Sequence, residues 1–508
     1  MTTSKRLFLV LLAAVLLSSG LVSCGEAEIV ESVGEVDTST VAAAVTEEVD
    51  PFAEVDFGGQ TLRISSSIDT EDSTNAHHLI AGSGELNGEL VNDAVYQRNM
   101  TVQELLNVEL EFLPSEWTWG NGHTEIEKLV LSGDAGFEVV INDLINLGRI
   151  AHKGYFHSVS NNQIMDFSKS YWYGEAIADL EVVDGGAYMM LGDVFADCLA
   201  SAHVLYYNKD IINNNYSSPD YVQDIILDGN WTVDEMIRIT EETAVDLDGD
   251  GTISEKNGDL GGYSVIGAWG PMIPVLMGFD VQFMETTDEG KLAYCFNNER
   301  SVTILEKLNE LYWASWNYQN ITESSAAGLL KLYADQKTVF VGYLRLGDLE
   351  KMRDIEFQVG LACYPKLDTA QKNYVSSMHD TSEVGAIMVT APVDQMDFIS
   401  TVLEVMAREA GRTIIPAYYE EALKIKYVNG TGDAAMIDLI HDTITSPFAL
   451  AYNNILGEVL LGKCFLTPLG SKKSDFASAY ASVEKVAQEK LDELVEAFTE
   501  VVTRQQGK

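Results

Sequence analysis

The stretch FEVVIND, residues 137–143, decides how the first part of this chain folds. It is a short continuous apolar run ending on two polar residues, the pattern of a strand covered on both faces. Working back from it, a short helix around Ile126 to Leu131 ends at Gly133. In VELEFLP (108–114), Val108, Leu110 and Phe112 alternate with Glu109 and Glu111, as in a half-buried strand. LVNDAVYQRNMTVQELLNV places Val91, Ala94, Val95, Val102, Leu105 and Leu106 on one helical face, and QTLRISS (60–66) reads as another strand. Strand, helix, strand, helix, strand predicts a largely parallel sheet with helices on its faces. Ligands of such sheets bind beyond the carboxyl ends of the strands, so Asp143 and the residues after it form a candidate binding edge. Capping of the following helix is an equally good use of Asp143.

The chain has 508 residues, enough for two or three domains, and 46% hydrophobic with 9% aromatic residues marks it as globular. Its 32 basic against 78 acidic residues give a net charge of −46. No basic, aromatic-interleaved patch offsets this, which excludes nucleic acid as a partner. At the N-terminus, Lys5 and Arg6 precede the apolar run Leu7 to Val22, and an acidic stretch follows instead of a basic stop-transfer flank. Residues 1–23 therefore read as an export signal, not a membrane span. Leu21, Val22, Ser23 and Cys24 resemble the bacterial lipobox, in which the cysteine is acylated and becomes the new N-terminus; plain secretory cleavage is the alternative. Residues 24–54, acidic and without a period, are expected to form a disordered tether that holds the folded part at the outer face of the cell membrane. Cys198, Cys295, Cys363 and Cys464 lack CxxC spacing and read as small apolar residues.

Further along, VLYYNKD (204–210) runs from an apolar strand into a helix start. Trp231 to Glu235 then opens an amphipathic helix, with Thr232 and Glu235 spaced as a capping box. These segments, with KLYADQKTVFVGYLRLGDLEKM (331–352), FQVGLACYPKLD (357–368), SEVGAIMVTA (382–391) and ISTVLEVMAREAG (399–411), resemble in kind and order the extracellular solute-binding proteins of ABC importers, the family 1 maltose- and oligosaccharide-binding lipoproteins. The resemblance covers most of the chain. It implies an α/β, two-lobed periplasmic-binding-protein-like fold of type II, each lobe a mostly parallel sheet flanked by helices, with the ligand cleft between lobes. The first lobe would comprise 55–168 plus 384–415, the second 169–383 plus 416–508. The C-terminal helix, with Val483, Val486, Leu491, Leu494, Val495 and Phe498 on one face, would pack on the second lobe. Such a protein is a monomer that catalyses nothing: it closes on a carbohydrate, and an ABC permease reads the closed shape.

DLDGDGTISEKNGD (246–259) gathers Asp246, Asp248 and Asp250 at alternate positions around Gly249 and Gly251, and Thr252 can offer its carbonyl. This matches the first half of an EF-hand-type calcium loop. The second half does not match, since position 12 is Asn257, and the glycine-rich GDLGGYSVIGAWGP replaces the second helix that a calcium sensor needs. Family members carry a similar turn after the same helix. A structural calcium ion, closed by Asp259, is therefore expected; a merely acidic turn is the alternative.

A sugar site combines aromatic platforms with polar partners. Trp231, Trp313 and Trp316 read as packing residues. The loop-borne Trp117, Trp119, Trp172 and Trp269 are candidates for ligand contact, with Tyr343 and Arg345 after the strand TVFVGYLR and Tyr418 in PAYYEEALK. An exported carbohydrate hydrolase is the main rival, although no GxSxG, HExxH or phosphate-loop motif supports it. A surface lipoprotein that senses its ligand is another, and a peptide is an alternative ligand.

Overall fold

Two separate four-stranded sheets organise the protein. The structure, a computed structural model, describes residues 50–70, 75–133, 135–319, 321–423, 431–445 and 447–507. The export signal, Cys24 and the tether up to residue 49 lie outside the described residues. Among the described residues, no helix is long and apolar enough to cross a membrane.

The first sheet contains β1 (Gln60–Ser67), β2 (Val108–Ser115) and β3 (Val139–Asp143), joined by the helices Leu90–Leu106 and Gly122–Ser132. β1 lies between β2 and β3 and runs parallel to both, with Ile64 opposite Phe112 on one side and Val139 on the other. Every residue of β3 is buried, as its unbroken apolar run requires. The fourth strand, β10 (Glu383–Ile387), arrives after the second sheet is complete and pairs antiparallel with β3, Glu383 opposite Asp143.

The second sheet has the order β5 (Gly261–Ser264), β8 (Thr338–Arg345), β4 (His203–Asn208), β9 (Val359–Ala362). β5 and β8 are parallel, whereas β4 runs antiparallel to both β8 and β9. A small hairpin, β6 (Met284–Thr286) and β7 (Leu292–Tyr294), stands apart. Trp231 is fully buried, stacks on Phe340 and donates from Nε1 to the Cys363 carbonyl at 3.0 Å, so it is a packing residue. Thr232 accepts from the Glu235 amide, closing the start of the helix Val233–Thr243. Cys198, Cys295, Cys363 and Cys464 are free thiols.

Two placements differ from those the resemblance implies. Residues 169–192 sit with the first sheet, not the second, because Met190 bridges to Gly385 of β10 and the Val159 amide donates to Ala187. The C-terminal helix, Glu484–Gln506, meets the second-sheet side near its start, where Tyr294 donates to the Ala487 carbonyl. Farther on, Phe498 packs on Tyr188 and Tyr452, and Gln505 donates to the Phe156 carbonyl. Its buried stripe runs through Ala487, Leu491, Leu494, Phe498, Val501 and Val502, leaving Val486 exposed. That stripe fits the aromatic surface beside the first sheet.

Several acids are buried at the carboxyl end of the first sheet. Asp143 is 1% exposed. Burial first, then the charges of Asp197 and Asp380, push its carboxyl up to about 8, against the pull of Arg345 and Arg149. Burial also raises Asp197 and holds Glu383 well above the carboxylate range. Between about pH 4 and about pH 8 the folded protein keeps a proton on Asp143 that the unfolded chain has lost, so this group makes stability fall as pH rises through that window. Asp143→Asn removes the linkage. The variant is expected to lose less stability than the parent between those limits, as measured by the urea midpoint at each pH; parallel pH profiles would refute it.

Candidate functional site

A cavity of about 560 Å³, within the range of small-molecule sites, opens between elements of the two sheets. Two passages of chain that link the sheets make its floor. Residues 376–383 run beside 197–203: the His203 amide donates to Ser377, that of His379 to Ser201, and the Ser201 hydroxyl to that of Ser382 at 2.7 Å. The same passage is tied to the first sheet's side, where the amides of Leu144 and Ile145 donate to the Ser382 and Asp380 carbonyls.

The first wall grows from the end of β3. Ile145 and Arg149, four residues apart on the helix Leu144–Ala151, present one face to the cavity. Asn146 anchors the neighbouring loop by donating to the carbonyl of Thr118, to Asn142 and to Asp143, which holds Trp119 at the rim with 53% of its surface exposed. Asp143 itself lies behind this wall, and its side chain caps no helix.

The second wall comes from β4 and β8. Pairing between these strands slips at Val204/Tyr206, and Tyr343 adopts a φ of 68°, a left-handed conformation that a bulky residue rarely takes. Bulges re-aim side chains. Here the irregular strand end turns both Tyr343 and Arg345 to the cavity, and the Tyr364 hydroxyl accepts from the Tyr343 amide at 2.9 Å. The Tyr343 ring packs against His203 and His379, with centroids 5.9 and 5.8 Å away. Burial holds His203 well below the usual histidine range, so its ring is neutral. His379 Nδ1 meets Asp380 at 2.9 Å.

Past β5, Trp269 and Ile273 line the cavity. The Trp269 ring rests on Gly462, where a Cβ would lie 2.6 Å from the indole, so a side chain there would displace the ring. Gly462 belongs to a wide π-helical stretch, Val459–Leu466, a form common at functional sites. Leu450, Asn453, Asn454, Glu458 and Leu461 from this region complete the lining. The segment reaches the first wall because Gly148 lets Ala451 come close, a Cβ there being 2.4 Å from the Ala451 carbonyl oxygen.

Of the ligand candidates read from the sequence, Trp119, Trp269, Tyr343 and Arg345 meet at this cavity. The others do not line it. Trp117 packs on Phe137, and its carbonyl accepts from Asn75. Trp172 is buried against Phe167 and donates from Nε1 to Glu404 at 2.8 Å. Tyr418 is buried beside Gly347. Sequence reasoning missed Arg149, His203, His379, Asp380, Asn453 and Glu458. The spacing of Ile145 and Arg149 after the predicted binding edge was a usable signal for one of them.

In the acidic loop, Asp246, Asp248 and Asp259 each present an oxygen within 4.8 Å of the others. Asp250 falls outside this trio and accepts from the Thr252 amide and the Asn257 side chain. Asp259 is fully buried and accepts from the amides of Leu247 and Ser254.

No family model matches the sequence, and no curated protein matches it. Solved structures do match over most of the chain. An uncharacterized protein of Listeria monocytogenes superposes with a TM-score of 0.54 at 8% identity, over 85% of this chain and 100% of that one. A cyclo/maltodextrin-binding protein complexed with maltotetraose gives 0.51 at 13% identity, over 87% and 97%. A family 1 extracellular solute-binding protein from Bifidobacterium longum subsp. infantis gives 0.50 at 10% identity, over 88% and 100%. At such identities the likeness establishes architecture: the chain has the α/β fold of the type II periplasmic binding proteins, as found in family 1 extracellular solute-binding proteins.

Proposed function

We propose that this protein is an extracytoplasmic solute-binding protein that captures a carbohydrate, an oligosaccharide by the size of the cavity, and delivers it to an ABC permease. One observation carries the reading: a cavity of about 560 Å³ is bounded by elements of two separate sheets and flanked by Trp119, Trp269 and Tyr343. Indole and phenol rings offer flat apolar faces that suit pyranose rings, while the asparagines and charged groups offer partners to hydroxyls. The structural neighbour that holds maltotetraose supports the same class. A ligand touching both walls stabilises their closed arrangement by its differential contacts, which gives a permease a shape to read. Binding and release leave the solute unchanged.

Membrane attachment through lipid on Cys24 is part of the proposal, supported by the Leu21–Cys24 motif and its apolar run. So is a structural calcium ion in the acidic loop, supported by the three converging carboxylates. Asp246, Asp248 and Asp259 would hold it, with Asp250 and the Thr252 carbonyl as candidates to complete the shell. Its role would be to fix the turn after the helix Val233–Thr243.

Three measurements test these statements. Calorimetric titration with a panel of oligosaccharides and oligopeptides should find a saccharide ligand, and Trp269→Ala should weaken it about tenfold or more. Binding of peptides alone, or release of shortened sugars during the titration, would overturn the assignment. Calcium added after chelation should raise the melting temperature by about 2 °C or more, and Asp246→Asn with Asp248→Asn should remove the rise. Cys24→Ser should move the protein from the membrane fraction to the medium; unchanged fractionation would refute lipid anchoring.

A further inference from the structure

Two arginines line the cavity. In a chain with 78 acidic residues, Arg63, Arg238, Arg300, Arg408 and Arg412 each form an ion pair with a carboxylate. Arg149 and Arg345 line the cavity, yet among the described residues neither guanidinium pairs with a carboxylate or donates a hydrogen bond to an acceptor. A guanidinium carries five donors and no acceptor and keeps its charge, so an arginine left in this state faces a missing acceptor.

The acids nearby do not supply it. Asp143 is buried behind the first wall and, with its carboxyl raised to about 8, is largely uncharged near neutrality. Asp380 lines the cavity; although burial opposes it, His379, 2.9 Å away, and the charge of Arg345 hold its carboxyl below the usual range, yet among the described residues no Arg345 nitrogen reaches it as an ion pair. Glu458 also lines the cavity, exposed to solvent, and forms no ion pair with either arginine among the described residues. Nε2 of His203, a residue 3% exposed at the cavity, adds a buried polar atom without a partner.

We infer that the cleft selects anionic saccharides, sugars whose rings carry a carboxylate or sulfate, with Arg149 and Arg345 as the residues that recognise the charge. The inference deepens the carbohydrate reading of the cavity and rests on it. Guanidinium forks match carboxylate and sulfate oxygens, and the charge-assisted bonds they form exceed neutral ones in strength. The two arginines stand on different walls, Arg149 on the helix after β3 and Arg345 at the end of β8. An acidic sugar bridging them would therefore couple charge recognition to closure. Trp119, Trp269 and Tyr343 supply the surfaces for the sugar rings. The acidic exterior opposes the approach of an anion at long range, but at physiological ionic strength that field is screened beyond about 8 Å. Short-range contacts then decide the affinity.

The test is calorimetric titration of the full chain in detergent with trigalacturonate, a disulfated disaccharide and neutral maltotriose. The parent protein should bind at least one of the two anions about tenfold or more tighter than maltotriose, and which one binds distinguishes carboxylate from sulfate. Arg149→Gln and Arg345→Gln should each weaken the bound anion about tenfold to a hundredfold, with the melting temperature of the free protein unchanged. Arg345→Lys, which keeps the charge but loses the fork, should fall between. Equal or tighter binding of maltotriose, no binding of either anion, or Gln variants that hold the anion like the parent would overturn the inference and leave the carbohydrate reading standing. Binding of oligopeptides with no saccharide bound would overturn both.

Discussion

The structure depends on two lengths of backbone that pass side by side between the sheets. Residues 197–203 and 376–383 hydrogen-bond to one another, and the second passage also bonds to the helix Leu144–Ala151. Buried backbone donors and acceptors must find partners, and a link paired on both edges satisfies them where a lone connector would not. The floor of the cavity is thus a small ladder, and the residues on it, His203, His379, Asp380 and Thr381, are held by main-chain geometry. Paired on both edges, such a link keeps its side chains in register.

Around this ladder, irregular backbone places the functional groups. Tyr343 occupies a conformation that costs about 1–3 kcal/mol where packing does not compensate, and it does so where pairing between β4 and β8 slips. The acids behind the cavity are settled by protonation. Burial pushes up the carboxyls of Asp143, Asp197 and Glu383, which weakens their opposition to the arginines in front of them, while Asp380, beside His379 and Arg345, stays below the usual range.

The fold was legible where local pattern decides it. The alternation in VELEFLP and the apolar run in FEVVIND mark β2 and β3 because strand burial leaves a period of two or none. Thr232 and Glu235 mark a helix start because capping is a short-range interaction. Trp172 was misread because its partner, Glu404, lies 232 positions away. His203 and His379 meet only after the chain has crossed between sheets twice, so neither shows any local sign of the cavity. The C-terminal helix showed its apolar face but not which surface it covers, since a stripe of Leu and Phe fits either sheet's flank. In the acidic loop the alternating aspartates were plain, whereas the bond that Asp250 accepts from Asn257 comes from seven residues on.

The contact between Trp269 and Gly462 has a consequence for how the pocket measures its guest. The far edge of the indole lies against the Gly462 backbone while about half of its surface stays exposed, so the ring is supported from one side and open on the other. A side chain at position 462 would occupy the space the ring now fills, so this glycine sets how deep the indole sits and, with it, how much room remains above the ring.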